Sequence, residues 1–231
     1  MQPARESTAA AGARHARSHA RARRLLLALA ACVLAATDAC AHPHVWVTMR
    51  SALVYRADGA ITGIRHAWTF DDMFSAFALQ GIAHEKKDAY TRAELAPLAE
   101  VNVTSLKEYG YFTRARADNK RLVILDPVDY WLDYADSALT LHFTLPLRTP
   151  IAIKDLMFEI YDPTWFVDFS YADKDPVALV GAPPHCRVDV KRPTGFNVAQ
   201  GQQLGEAFFS SLGPDSQFGA QFANKVFVQC Q

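Results

Sequence analysis

The sequence predicts an α+β fold, a single domain built on antiparallel β-sheet, sandwich-like, with a few helices. Three observations lead there. Short runs rich in β-branched and aromatic residues recur along the chain, separated by Asp, Asn, Gly and Pro turn signals. Only three stretches carry helical spacing, and two of these open on a capping residue. No internal repeat and no linker divides the chain. Its 231 residues, half of them hydrophobic and 21% charged, exclude a disordered or low-complexity protein and suffice for a sizeable core.

The elements follow in order. Val45 to Tyr55 reads as a strand, Ala57-Asp58-Gly59 as a turn, and Ile61 to Phe70 as the returning strand of a hairpin. Asp71 or Asp72 then caps a helix with Phe74, Phe77, Ala78 and Gly81 on its apolar face. Thr91-Arg92-Ala93-Glu94 is a capping box that opens a second helix through Leu95, Leu98 and Leu106. Pro97 predicts a kink or restart in it. Strands are expected at Tyr111 to Arg116, Arg121 to Leu125, Asp129 to Tyr134, Leu139 to Leu145, Leu156 to Tyr161 and Trp165 to Tyr171. Asp118-Asn119, Asp136-Ser137 and Asp162-Pro163 are the turns between them. Val177 to Val180 and Cys186 to Val190 add short strands, Gln202 to Leu212 has helical spacing, and Val226-Phe227-Val228 ends the chain on a strand.

Charge and cysteine placement speak to compartment. The formal net charge is zero, but the first 41 residues hold six arginines and only two acids, which leaves a net of −4 on the rest. A mildly acidic body without a basic run excludes nucleic-acid binding. Arg21, Arg23 and Arg24, the apolar stretch Leu25 to Ala36 and Ala39-Cys40-Ala41 are the parts of a secretory signal peptide. Residues 1–41 are therefore expected to be removed and 42–231 to form a periplasmic domain with no mature transmembrane segment. Leu29-Ala30-Ala31-Cys32 is a competing lipobox that would lipidate Cys32. Cys32 and Cys40 lie in the leader, so the expected mature chain keeps Cys186 and Cys230, the expected disulfide of an oxidising compartment, worth about 4 kcal/mol by loop-closure entropy.

The chemistry-bearing residues cluster near the expected mature start. In a strand, His42 and His44 of His42-Pro43-His44 point to one face, so both imidazoles can reach one ion. His66 and Asp71, in His66-Ala67-Trp68-Thr69-Phe70-Asp71-Asp72, reach the same rim if the hairpin brings its two strands together. The expected metal ligands are His42, His44, His66 and Asp71, a set suited to Ni²⁺, Co²⁺, Zn²⁺ or Cu²⁺. The bland alternative keeps His66 hydrogen-bonded in the core and Asp71 as an N-cap. A free His42 also offers its amine, the histidine brace of a copper oxidase. Tyr161-Asp162-Pro163-Thr164-Trp165-Phe166 reads as a strand connection or a pocket wall, and Asp133 and Asp136 as solvated charges. Common catalytic signatures (G-x-S-x-G, Walker loop, G-x-G-x-x-G, H-E-x-x-H) are missing, so a binding role is expected rather than catalysis.

The same motifs carry a resemblance. His42-Pro43-His44-Val45-Trp46-Val47, His66-Ala67-Trp68-Thr69-Phe70-Asp71, Phe74-Ser75-Ala76-Phe77-Ala78, Glu94-Leu95-Ala96-Pro97-Leu98, Tyr161-Asp162-Pro163-Thr164 and Phe218-Gly219-Ala220-Gln221-Phe222-Ala223-Asn224 resemble the domain of unknown function 1007 family. That family is labelled an uncharacterised ABC-type transport system, periplasmic component, encoded beside or fused to permeases of the nickel/cobalt type. The resemblance implies a periplasmic accessory or binding component of a transition-metal transporter, with such a permease as partner. A metal-free adaptor of the permease is the remaining alternative. One departure is clear. Similar proteins carry a calcium-loop-like run before the second helix, whereas the segment from Ala83 to Glu94 offers Lys87 and Ala89 as would-be ligands, so no calcium is expected there.

Overall fold

The computed structural model describes residues 42–87, 89–118, 120–152, 154–194 and 204–230. The expected signal peptide, Cys32 and Cys40 lie outside the described residues. So do Asp88 of the calcium-loop-like segment, Asn119 of its turn and Gln202 of the last helix.

Alternation of buried and open positions makes the first hairpin. In β1 (Val45–Tyr55) every odd residue is buried, and in β2 (Ile61–Phe70) the even residues Ile64, His66, Trp68 and Phe70 face the same core. The two strands pair antiparallel, Met49 opposite Trp68 and Ser51 opposite His66. Gly59, at φ +81°, closes the turn in a conformation that suits glycine, while Asp58 accepts a hydrogen bond from the Ala60 amide.

Two short α-helices of different quality follow. In α1 (Asp72–Ala78) the Asp71 side chain caps the Phe74 amide. Its predicted apolar face is corrected in two places: Phe77 is 68% exposed, and Gly81 is exposed and lies beyond the end of the helix. The helix has under two full turns and buries Ser75, whose hydroxyl accepts from the Leu139 amide. In α2 (Arg92–Leu106) the capping box of Thr91 and Glu94 is present, and Leu95, Ala99 and Val103 enter the core. The helix runs through Pro97 without the expected restart. Pro97 removes only the bond to the Ala93 carbonyl, in an exposed second turn where water can satisfy that oxygen.

The remaining strands are β3 (Thr113–Ala117), β4 (Lys120–Arg121), β5 (Val128–Ala135), β6 (Ala138–Ile151), β7 (Asp155–Ile160), β8 (Val167–Tyr171), β9 (Val177–Val180), β10 (Cys186–Lys191) and β11 (Asn224–Cys230). One sheet runs β5-β6-β2-β1-β8, with β9 also against β1; the other runs β10-β11-β7-β3-β4. The first expectation to fail is uniform antiparallel pairing, because β8 and β9 both lie parallel to β1. The chain crosses to the second sheet through β7 and returns to the free edge of β1, which only a crossover connection allows. The expected strand from Arg121 to Leu125 shrinks to β4 plus an isolated Ile124–Leu147 bridge. Tyr111, expected at a strand start, sits in a 3₁₀ turn (Gly110–Phe112). The last helix, α3, is limited to Glu206–Ser210.

The two sheets share a core. Trp68 and Phe143 of the first pack with Phe158, Ile160, Val226 and Val228 of the second in a single buried cluster, and α2 packs against β5, the edge strand of the first sheet. Cys186 and Cys230 are direct partners in the β10–β11 ladder and form a disulfide. It ties the half-exposed edge strand β10 to its neighbour.

Candidate functional site

The candidate site lies where β1 begins. The His44 amide donates to the Phe166 carbonyl at 2.9 Å, which anchors the entering chain to the segment just before β8. His42 stacks on Phe209 of α3, ring centres 4.1 Å apart and planes nearly parallel, and meets His44 edge-on at 4.4 Å. Phe166 lies 4.7 Å from the His44 ring. His42 lines a cleft of about 340 Å³ whose walls also include Tyr109, Phe112, Asp162, Thr164, Phe166 and Phe209. His44 is exposed and His42 half-buried, so the pair faces solvent from an aromatic bed.

The wall of that cleft is set by two turns that fit each other. Asp162 is 3% exposed. One oxygen accepts the Thr164 amide and hydroxyl, both at 2.8 Å, and the other accepts the Val167 amide at 2.9 Å. The Asp-Pro motif is thus both the strand connection and a pocket wall. Onto it packs the 3₁₀ turn Phe218–Phe222, with the Gly219 amide on the Pro163 carbonyl at 3.0 Å. A Cβ at Gly219 would sit 1.7 Å from the Asp162 carbonyl oxygen, so only glycine fits. Trp165 stacks on Phe222 and holds the turn from its other side.

The four sequence-predicted ligands do not assemble as one set. His42 and His44 come together. Asp71 reaches the same rim, since its backbone amide donates to the Trp46 carbonyl two residues beyond His44. Its carboxylate is occupied, however: Oδ1 caps the Phe74 amide and Oδ2 accepts the Trp46 amide. His66 stands opposite Ser51, seven residues from His44, roughly 23 Å along an extended strand. It is 1% exposed, with Nδ1 at 3.0 Å from the Ser51 hydroxyl and Nε2 at 3.3 Å from that of Thr113. Burial pushes its imidazole down to about 3. The hydroxyl chain continues from Ser51 to Tyr171 at 3.1 Å and from Thr113 to the Tyr111 carbonyl. His66 is therefore a neutral core histidine linking the two sheets, which is the bland reading of that residue. The reason is parity: His66 shares its inward face with Trp68 and Phe70. Among the described residues no three His, Cys, Asp or Glu side chains converge on a point that could hold a metal ion.

One other feature differs from the sequence reading. Asp133, expected to be a solvated charge, binds Arg92 at 3.1 Å, lies 3.2 Å from His142 and accepts the Trp131 indole N–H. Arg92 also lies over the Trp131 ring, and His142 stacks beneath it. Glu94 of the calcium-loop-like segment holds the Thr91 amide with one oxygen and the Glu85 amide with the other. Sequence reasoning missed Phe209, which lies 167 residues after His42 with no motif around it; the helical spacing of Leu204, Ala207 and Phe208 beside it was the available signal.

Comparison with known proteins matches residues 27–230 to the family described as protein of unknown function (DUF1007). The chain is similar to an uncharacterised protein of Haemophilus influenzae, 27% identical over 201 residues, covering 83% of this chain and 92% of that one. It is also similar to an uncharacterised 15.5 kDa protein in the trpE 3′ region of Spirochaeta aurantia, 34% identical over 92 residues, covering 37% of this chain and 62% of that one. With the family match extending over most of its length, the chain belongs to the DUF1007 family.

Proposed function

We propose that the protein is an exported periplasmic accessory or binding component of a nickel/cobalt-type transition-metal transport system. In this reading His42 and His44 take a divalent ion, and a membrane permease is the partner. The observation that carries it is the 4.4 Å approach of the two imidazoles. Two imidazoles on one tetrahedral ion, with metal–nitrogen bonds of about 2.0–2.1 Å, hold their ring centres roughly 5 Å apart, a separation close to the one observed. The disulfide agrees with an oxidising compartment. Among the described residues no helix is long and apolar enough to cross a membrane.

Cleavage after Ala41 would add the His42 amine as a third nitrogen; lipidation at Cys32 would not. The four-ligand set reduces here to the histidine pair, with water or a partner's groups completing the ion. Calorimetric titration of the purified protein with Ni²⁺, Co²⁺, Cu²⁺ and Zn²⁺ tests the reading. One ion is expected to bind stoichiometrically, and His44→Ala to weaken it at least about ten-fold. Equal affinity in wild type and variant would leave the metal-free adaptor as the better account.

A further inference from the structure

A second cavity, of about 450 Å³, lies where β3 and β4 leave the 3₁₀ turn, and its chemistry is cationic. Lys107, Arg114 and Arg121 line it, with Leu122 and Ile124 as an apolar wall. The carboxylate in the lining, Asp126, is occupied: it accepts from Lys107 at 2.7 Å and from the Tyr111 hydroxyl at 2.8 Å. Arg114 is different. Its guanidinium lies 4.2 Å over the ring of Tyr161, and its Nη1 is buried without a hydrogen-bond partner among the described residues. Glu159 faces it across the β3–β7 ladder, but no ion pair forms between them. A buried, uncompensated guanidinium nitrogen is costly, and an oxyanion is the group that satisfies it.

The backbone is also strained at this point. Gly110, Tyr111 and Phe112 all have positive φ, at 60°, 55° and 49°. Two successive aromatic residues in the left-handed region are rare, and such strain concentrates at ligand sites.

We propose that this cavity binds a small organic carboxylate, its oxyanion on Arg114 and Arg121 and its apolar body against Leu122 and Ile124. The planar guanidinium fork matches a carboxylate bidentately, and the apolar wall discriminates against inorganic phosphate. The site is independent of the histidine pair.

Calorimetry of the purified protein with sodium hexanoate and with inorganic phosphate tests this. Hexanoate is expected to bind saturably at one site. Arg114→Gln is expected to weaken it at least about ten-fold, with partial recovery in Arg114→Lys, and phosphate to bind at least about ten-fold more weakly than hexanoate. No saturable hexanoate binding up to about 10 mM, or equal affinity in Arg114→Gln, would overturn the site. Phosphate binding as tightly as hexanoate would overturn the organic ligand. If circular dichroism shows Arg114→Gln unfolded, the exposed Arg121→Gln replaces it; a loss of at least about three-fold supports the site, and unchanged affinity overturns it.

Discussion

His66 reports on pH through its burial. The neutral imidazole fits the Ser51–Thr113 bridge, and burial holds its folded pKa at about 3 against an unfolded value near 6.5. Above pH 6.5 both states are neutral and the residue adds no pH dependence. Below it the unfolded chain takes up a proton that the fold refuses, so stability falls between pH 6.5 and 3, by about 2 kcal/mol at pH 5. Urea unfolding at pH 7.5 and 5 is expected to show this drop in wild type and a smaller one in His66→Gln; equal drops would contradict the buried neutral assignment. Asp71 makes the complementary case. As a cap bonded to Phe74 and Trp46, it should lose about 1–2 kcal/mol of stability on change to Ala, while Asp71→Asn leaves metal affinity unchanged. A large affinity loss in Asp71→Asn would make it a ligand after all.

The elements differ in how well they could be read. β1, β2 and β9 have the bounds the sequence predicts: the alternation of β1 and β9 is unbroken, that of β2 changes phase once at Gly63–Ile64, and in the β1–β2 hairpin a register slip would expose a whole core face. The Thr91–Glu94 box is local chemistry and survives intact. The strand from Arg121 to Leu125 was less legible, since Val123 and Leu125 are exposed edge residues whose apolar pattern has no core to face. The edge strand β10 depends on its covalent tie. Replacing both cysteines by serine is expected to cost about 2–5 kcal/mol in chemical denaturation and to speed hydrogen exchange in Cys186–Lys191; unchanged exchange there would show that the ladder alone holds β10.

At the scale of the whole molecule, residues far apart in sequence assemble the site, which is why half of it was hidden. The His42/His44 pair was visible as a spacing, but its bed is built from Phe166 and Phe209, which only the fold brings there. His66 was misplaced because the hairpin was right and the face was wrong: the metal expectation needed it at the rim, and parity put it inside. The Asp162 and Gly219 turns, read as separate motifs, prove to be one interlocked pair. Gly219→Ala should therefore cost more than about 3 kcal/mol and loosen the cleft that holds His42; a loss below about 1 kcal/mol would mean the turn yields easily.

The central claim is that His42 and His44 hold one ion. Anomalous scattering from crystals grown with Ni²⁺ or Co²⁺ tests it most directly. The account predicts one strong peak about 2.1 Å from a ring nitrogen of each histidine, beside Phe166 and Phe209. A peak at any other cluster, or none beside this pair at saturating metal, would contradict it.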